Sequence, residues 1–514
     1  MSATESPGWF IGTVQARRAV LFRLSKAGLA IMTVLTGASV VVLTIMQSTG
    51  LLAFLAVLCT VAYVLLRVSP DTRSKGALWH VMNRLRVRRA RTQGWLGFTR
   101  SEVLPVPRPV GHVRIVGVSQ QAGDPEQAVV VHRPLGRIGA YFSSTLEIDG
   151  RGDGQFTTAQ RLAEVAAVEG LLTTLAQNLS PIDDLQITTR ALPGLARGYR
   201  ESLAANTNPR LVGTPLGENL ADLADVSASV SDEYRTYLTV SMPYEQVAQA
   251  AARQGRVSRD SMLATVYREI GRLVPLLESA GFRVRAGLGP RRLAALIRHL
   301  YAPSWGIDDL TGLEDGTDGF VEYPTSPHGD CFVVPDPASD VSWYHASMML
   351  PAYGWPPVIT APRWMKPLVC DVVSSDEPSV IRTITTQYRL IDRRDARHRT
   401  ITGIAGDEAE AQSSAGRVTG GEWHRQATVG QMHLADFLDG AAGVRVSARA
   451  TVSAPSHVGL MVGRELVESS ASGMGIDGID WADGRHADAH LWGLPLGRGI
   501  RRDTLTGLSG QLGN

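Results

Sequence analysis

The residues best spaced for chemistry stand near the end of the chain. His486 and His490, four apart in the run His-Ala-Asp-Ala-His, can place two imidazoles on one face of a helix, as a zinc-ligand pair requires. A metalloprotease would carry a glutamate directly after the first histidine as its general base, and Ala487 stands there instead. Closed metal sites need more convergent ligands than these two, so no metal ligand is assigned. A metal-dependent enzyme acting through His486 and His490 is kept as an alternative. Residues 493–499, Gly-Leu-Pro-Leu-Gly-Arg-Gly, are glycine-rich but lack both the dinucleotide spacing and a phosphate-binding lysine. They read as a strand terminator. A nucleotide motor needs backbone amides curled round phosphate and a lysine after glycine. Lys26, Lys75 and Lys366, the only lysines, each follow another residue type, which excludes a phosphate loop. With no Gly-x-Ser-x-Gly elbow either, no catalytic residue and no cofactor is assigned.

Composition narrows the class further. The chain has 514 residues, 44% of them hydrophobic, and a net charge of +2. It is long enough for two or three cores and is no polycation, so direct nucleic-acid binding is not implied. Cys59, Cys331 and Cys370 show neither a disulfide framework nor a zinc-ribbon spacing and read as inert thiols.

The elements that must position anything begin with an apolar stretch. No charged residue falls between Lys26 and Arg67, and a polar cluster at 47–50 divides this run. Residues 27–46, at about 1.5 Å per residue, reach roughly 30 Å, and 51–68 nearly as far. A helical hairpin is the solution hydrocarbon permits. Arginines flank both ends and none lies in the turn, so the sequence predicts a multi-pass protein of the plasma membrane, both termini cytoplasmic, with the bilayer as a partner. The run 84–91, rich in arginine, reads as the juxtamembrane cluster.

Beyond a linker with Pro105, Pro107 and Pro109, strands are predicted at 113–118, 128–132 and 141–149, the last carrying Phe142, Leu146 and Ile148. Leu162, Val165, Val168, Leu172 and Leu175 mark a helix over 158–176, and a strand resumes at 185–189. A second unit places strands near 234–241 and 282–286 around a helix ending at Gly281, with another helix from Pro290. A third has strands at 381–391 and 444–452, a largely helical stretch at 407–438, and a helix from His457. Trp343, Trp355 and Trp364 mark an aromatic-rich middle that reads as packing under loops. The fold class is α+β, an N-terminal two-helix transmembrane hairpin followed by a cytoplasmic body of ferredoxin-like strand–helix–strand units. The divisions are an arm at 1–26, the hairpin at 27–68, a basic segment and linker at 69–110, a first α+β region at 111–302, a Pro/Gly/Trp-rich connection at 303–367 and a second α+β region at 368–514.

The run Tyr-Phe-Ser-Ser-Thr-Leu-Glu-Ile-Asp-Gly-Arg-Gly at 141–152, the helix after it, Ser-Pro-Ile-Asp-Asp-Leu-Gln at 180–186, and Leu-Pro-Leu-Gly-Arg-Gly at 494–499 carry a resemblance. The chain resembles two-span membrane proteins encoded with conjugative transfer genes in actinobacteria. Its N-terminal hairpin is similar to PrgI-type subunits, and its body to the non-motor N-terminal region of VirB-class type IV secretion ATPases. The resemblance implies a scaffold or docking subunit of a DNA-transfer complex, partnered by a separate ATPase and other membrane subunits, with no catalytic residue. The EccE-type subunit of type VII secretion is the rival resemblance.

Overall fold

The computed structural model describes residues 9–10, 113–119, 125–133, 139–150, 157–177, 180–192, 213–230, 233–255, 257–321, 330–336, 341–350, 358–359, 380–391, 394–398, 443–476, 479–483 and 486–498, with isolated positions at 36, 58–59, 367–368, 400–401, 404, 431 and 434. Two compact units divide the chain: Met1–Thr13 with Trp95–Arg502, and Val14–Gly94 with Asp503–Asn514. The strands and helices named below lie in the first.

In chain order the strands are Trp9–Phe10 (β1), Val113–Val118 (β2), Gln127–His132 (β3), Tyr141–Asp149 (β4), Asp184–Leu192 (β5), Glu233–Pro243 (β6), Arg283–Gly287 (β7), Phe332–Pro335 (β8), Ser342–Leu350 (β9), Val358–Ile359 (β10), Ile381–Ile391 (β11), Gly443–Ala454 (β12) and Asp480–Trp481 (β13). The helices are Thr158–Gln177 (α1), Pro215–Val230 (α2), Tyr244–Ala252 (α3), Arg259–Ser279 (α4), Pro290–Tyr301 (α5), His457–Gly473 (α6) and His486–Gly493 (α7). Local chemistry sets their ends. Ser258 and Ser261 cap α4 reciprocally, and Pro290 opens α5 where its missing N–H costs nothing.

Among the described residues eleven strands form one antiparallel sheet, ordered β13-β9-β12-β11-β5-β6-β4-β3-β2, with β7 also on β4 and β8 also on β9. Two halves are visible in that order. The first runs β4, α1, β5, β6, α4, β7 and is ordered β7-β4-β6-β5; the second runs β9, β11, β12, α6, β13 and is ordered β13-β9-β12-β11. Each half is a ferredoxin-like 4-1-3-2 sheet, and the second strands of the two, β5 and β11, pair antiparallel from Arg382 opposite Ala191 to Arg389 opposite Asp184. The extra strands match as well. β3 and β7 share one edge of β4, as β8 and β13 share one edge of β9.

Strand alternation separates two faces. One is apolar: Phe142, Leu146, Ile148, Leu185, Leu238 and Val240 pack beneath α1 and α4, and Ala346, Met348, Ile384, Ala450 and Val452 beneath α6. The other carries α5, α7 and residues 494–496, whose leucines join Ile115, Val130, Phe320 and Trp343 in a separate core.

The predicted fold class is corrected in two respects. Among the described residues no helix is long and apolar enough to cross a membrane. Of 27–68 only positions 36, 58 and 59 are described, so the hairpin itself lies outside the described residues. An uncharged apolar run gives hydropathy, whereas a span also needs an unbroken helix of roughly twenty residues. The predicted two-pass plasma-membrane location, with the bilayer as a partner, therefore has no spanning helix among the described residues. The second correction concerns the body, which is one continuous sheet in place of successive separate units. The supposed connection at 303–367 supplies β8, β9 and β10 to the fold. The helical stretch at 407–438 lies outside the described residues apart from 431 and 434.

Candidate functional site

Beneath α5, α7 and the closing segment, the second sheet face is lined with hydroxyls and amides. Ser143 and Thr145 on β4, Gln186 and Thr188 on β5, Thr239 and Ser241 on β6, Thr383 and Thr385 on β11, and Ser453 on β12 are all buried. A floor of this kind is costly unless every group is paired. The chain's own residues 493–497 do much of the pairing. Gln186 Nε2 donates to the carbonyl of Leu494 at 2.8 Å, Thr145 to Pro495 at 3.1 Å, Ser143 to Leu496 at 2.8 Å and Ser241 to Gly497 at 2.7 Å. Arg449 reaches the Trp492 carbonyl at 3.3 Å. The glycine-rich run is thus a strap lying across β11, β5, β6 and β4. His132 lies 3.0 Å from the Ser143 hydroxyl and stacks on Tyr141 with ring centroids 3.9 Å apart. Burial, with the Arg498 charge, holds His132 well below its ordinary value.

The two sequence-predicted histidines sit on α7, both buried, with different surroundings. His486 Nδ1 accepts from Ser347 N–H at 3.0 Å, filling the gap between β8 and β13 on the edge of β9, while its Nε2 lies 3.2 Å from Asp483. His490 points among Tyr301, Phe332 and His345, with ring centroids 5.0–5.3 Å away. The two rings thus have different partners.

His345 and Ser453 have the spacing of a base and a nucleophile. Nδ1 stands 2.8 Å from the Ser453 hydroxyl, and Nε2 stands 2.8 Å from the Tyr301 carbonyl. Three features argue against hydrolytic chemistry. Both side chains are wholly buried, the orienting group is a carbonyl in place of a carboxylate, and burial pulls His345 down to about 3. Close by, Arg190 is buried on β5 and donates to Thr383 Oγ1 at 2.7 Å and to the His299 carbonyl at 3.0 Å. Burial lowers its pKa to about 9. A charged clamp borders the first half: Glu147 on β4 accepts from Arg235 at 2.7 Å and from Arg292 at 3.0 Å, and Asp308 pairs with both arginines.

Sequence reasoning missed this floor because buried and solvated hydroxyl rows use the same residue types. Trp343, noted in the aromatic middle, is buried and donates to Ser304 at 2.7 Å, a packing role. No family model matches this sequence, and no curated protein matches it.

Proposed function

We propose that the chain is a non-catalytic docking subunit of a conjugative DNA-transfer apparatus of the type IV secretion kind, working with a separate ATPase. The polar floor is filled by the chain's own strap, which leaves outer surfaces to carry function. The observation behind the reading is helix α2, inserted between β5 and β6. Leu216 and Leu223 are 58% and 60% exposed, with Leu220 half-buried between them. Their i, i+4, i+7 spacing makes one face, the pattern by which a helix seats in a partner's groove. Glu218 and Asp222 are exposed beside them, and 215–230 holds no basic residue. The complementary occupant is an ATPase surface with an apolar groove and a basic rim.

A crosslinking amino acid at Asn219 tests this in cells engaged in transfer. Recovery of the ATPase, with recovery and DNA transfer both reduced about tenfold or more by Leu216→Ala with Leu223→Ala, is the expected result. Those leucines lie outside the core, so the thermal midpoint should stay unchanged. Wild-type transfer by the double variant, or recovery of type VII components alone, would overturn the reading. The purified chain by itself should hydrolyse no ATP above a blank.

A further inference from the structure

Asp330, Cys331 and His457 bring a carboxylate oxygen, a sulfur and an imidazole nitrogen within 4.8 Å of one another. We propose that these three residues form a zinc-class divalent metal site, with a fourth position open to water. The inference is independent of the docking role. It rests on three different donors converging from segments 127 residues apart.

Each donor adjoins a regular element. Asp330 and Cys331 lie in the bend that leads into β8, whose register on β9 is fixed by Phe332 opposite His345 and Val333 opposite Tyr344. The bend lets neighbouring side chains converge, where a straight strand would send them to opposite faces. His457 opens α6, where Ser456 caps the helix by accepting from Gly459 N–H at 3.1 Å. The Tyr344 ring stands edge-on to the imidazole at 6.0 Å, and Arg464 donates to the Asp330 carbonyl at 3.0 Å. Such outer contacts orient ligands.

The donor chemistry selects the ion. Sulfur, imidazole and carboxylate together suit zinc or cobalt, whereas magnesium and calcium take oxygen alone. Bonds of about 2.0–2.3 Å put tetrahedral donors roughly 3.3–3.7 Å apart, so separations near the 4.8 Å limit contract and closer ones open. His457 Nε2 and Asp330 Oδ2, hydrogen-bonded at 2.8 Å, exchange that bond for the ion and move apart. Two ligands are anionic in the bound state, which offsets a dication against the opposing field of Arg464 and of the α6 N-terminus. Burial first, then the Asp330 charge, pushes the Cys331 thiol up to about 12. Binding a dication requires the thiolate, so the ion must displace the thiol proton against that shift. Asp330 and His457 are 40% and 46% exposed, which gives the ion a path in, while the sulfur lies beneath.

Titration of the full chain with Co²⁺ tests the site. A sulfur-to-cobalt charge-transfer absorption should saturate at one equivalent and be bleached by Zn²⁺. It should vanish in Cys331→Ser and persist when Cys59 and Cys370 are both replaced by serine. His457→Ala and Asp330→Asn should each weaken cobalt binding about tenfold or more. These two positions are partly exposed, so their variants report even if Cys331→Ser does not fold. Absence of the band, its survival in a folded Cys331→Ser, or wild-type affinity in His457→Ala would overturn the proposal.

Discussion

The Ser241 hydroxyl donates to the carbonyl of Gly497 at 2.7 Å, and a Cβ built on Gly497 would lie 2.1 Å from Ser241 Oγ. Gly497 also has φ of +60°, a left-handed conformation. Strap and floor therefore fit only with glycine there. Gly497→Ala should destabilise the protein by about 1–3 kcal/mol, read as a lower urea midpoint at unchanged slope.

Acid should unfold the protein through its histidines. His345 is lowered to about 3, and His132, His299 and His490 are all held well below 6.5, in each case first by burial. Below pH 6.5 the unfolded chain binds protons that the folded chain refuses, so stability falls as pH drops from 6.5 toward 3 and is fully present above it. Each such group contributes up to about 1.4 kcal/mol per pH unit in that window. Urea midpoints between pH 5 and 6.5 should show an uptake of several protons on unfolding, reduced by about one in His345→Gln. A flat profile would contradict the burial of these rings.

Glu147 is 3% exposed, whereas its partners Arg235 and Arg292 are 19% and 37% exposed. The buried carboxylate anchors the clamp, and partial screening of the arginines moderates its strength. Glu147→Gln should cost about 1–3 kcal/mol. A double-mutant cycle with Arg235→Met should return a coupling of about 1 kcal/mol or more.

Arg190 is held by a hydroxyl and a carbonyl within the sheet core. Replacement by a side chain of similar length removes a buried charge while keeping volume. Arg190→Met should stay within about 2 kcal/mol of wild type, whereas Arg190→Ala, which opens a cavity, should cost about 3–5 kcal/mol. Equal losses in the two variants would show that the charge, and not the packing, is what matters there.

Much of the element pattern is legible in the sequence. Phe142, Leu146 and Ile148 mark β4 because strand alternation needs no partner to be read, and Leu172 and Leu175 likewise mark α1. What those elements join is not legible. Ser143 and Thr145 look like solvent-facing positions, and their acceptors lie about 350 residues downstream in the strap. His486 and His490 share a helix face as their spacing suggests, yet one completes a strand edge and the other packs among rings. Between 27 and 68 hydropathy alone supported a membrane span, and among the described residues no helix supplies one.

The joining of β5 to β11 also has a cost in time. Thr188 and Thr385 face each other across that seam, 197 residues apart. At about 5–20 residues per second a ribosome needs roughly 10–40 seconds to deliver the second strand after the first. Throughout that interval one edge of β5 is an open row of amides and carbonyls, able to capture the same edge of another nascent chain. Neighbouring chains on one messenger are then rivals for the seam, and yield in the cell should rise as translation is diluted or chaperones are supplied.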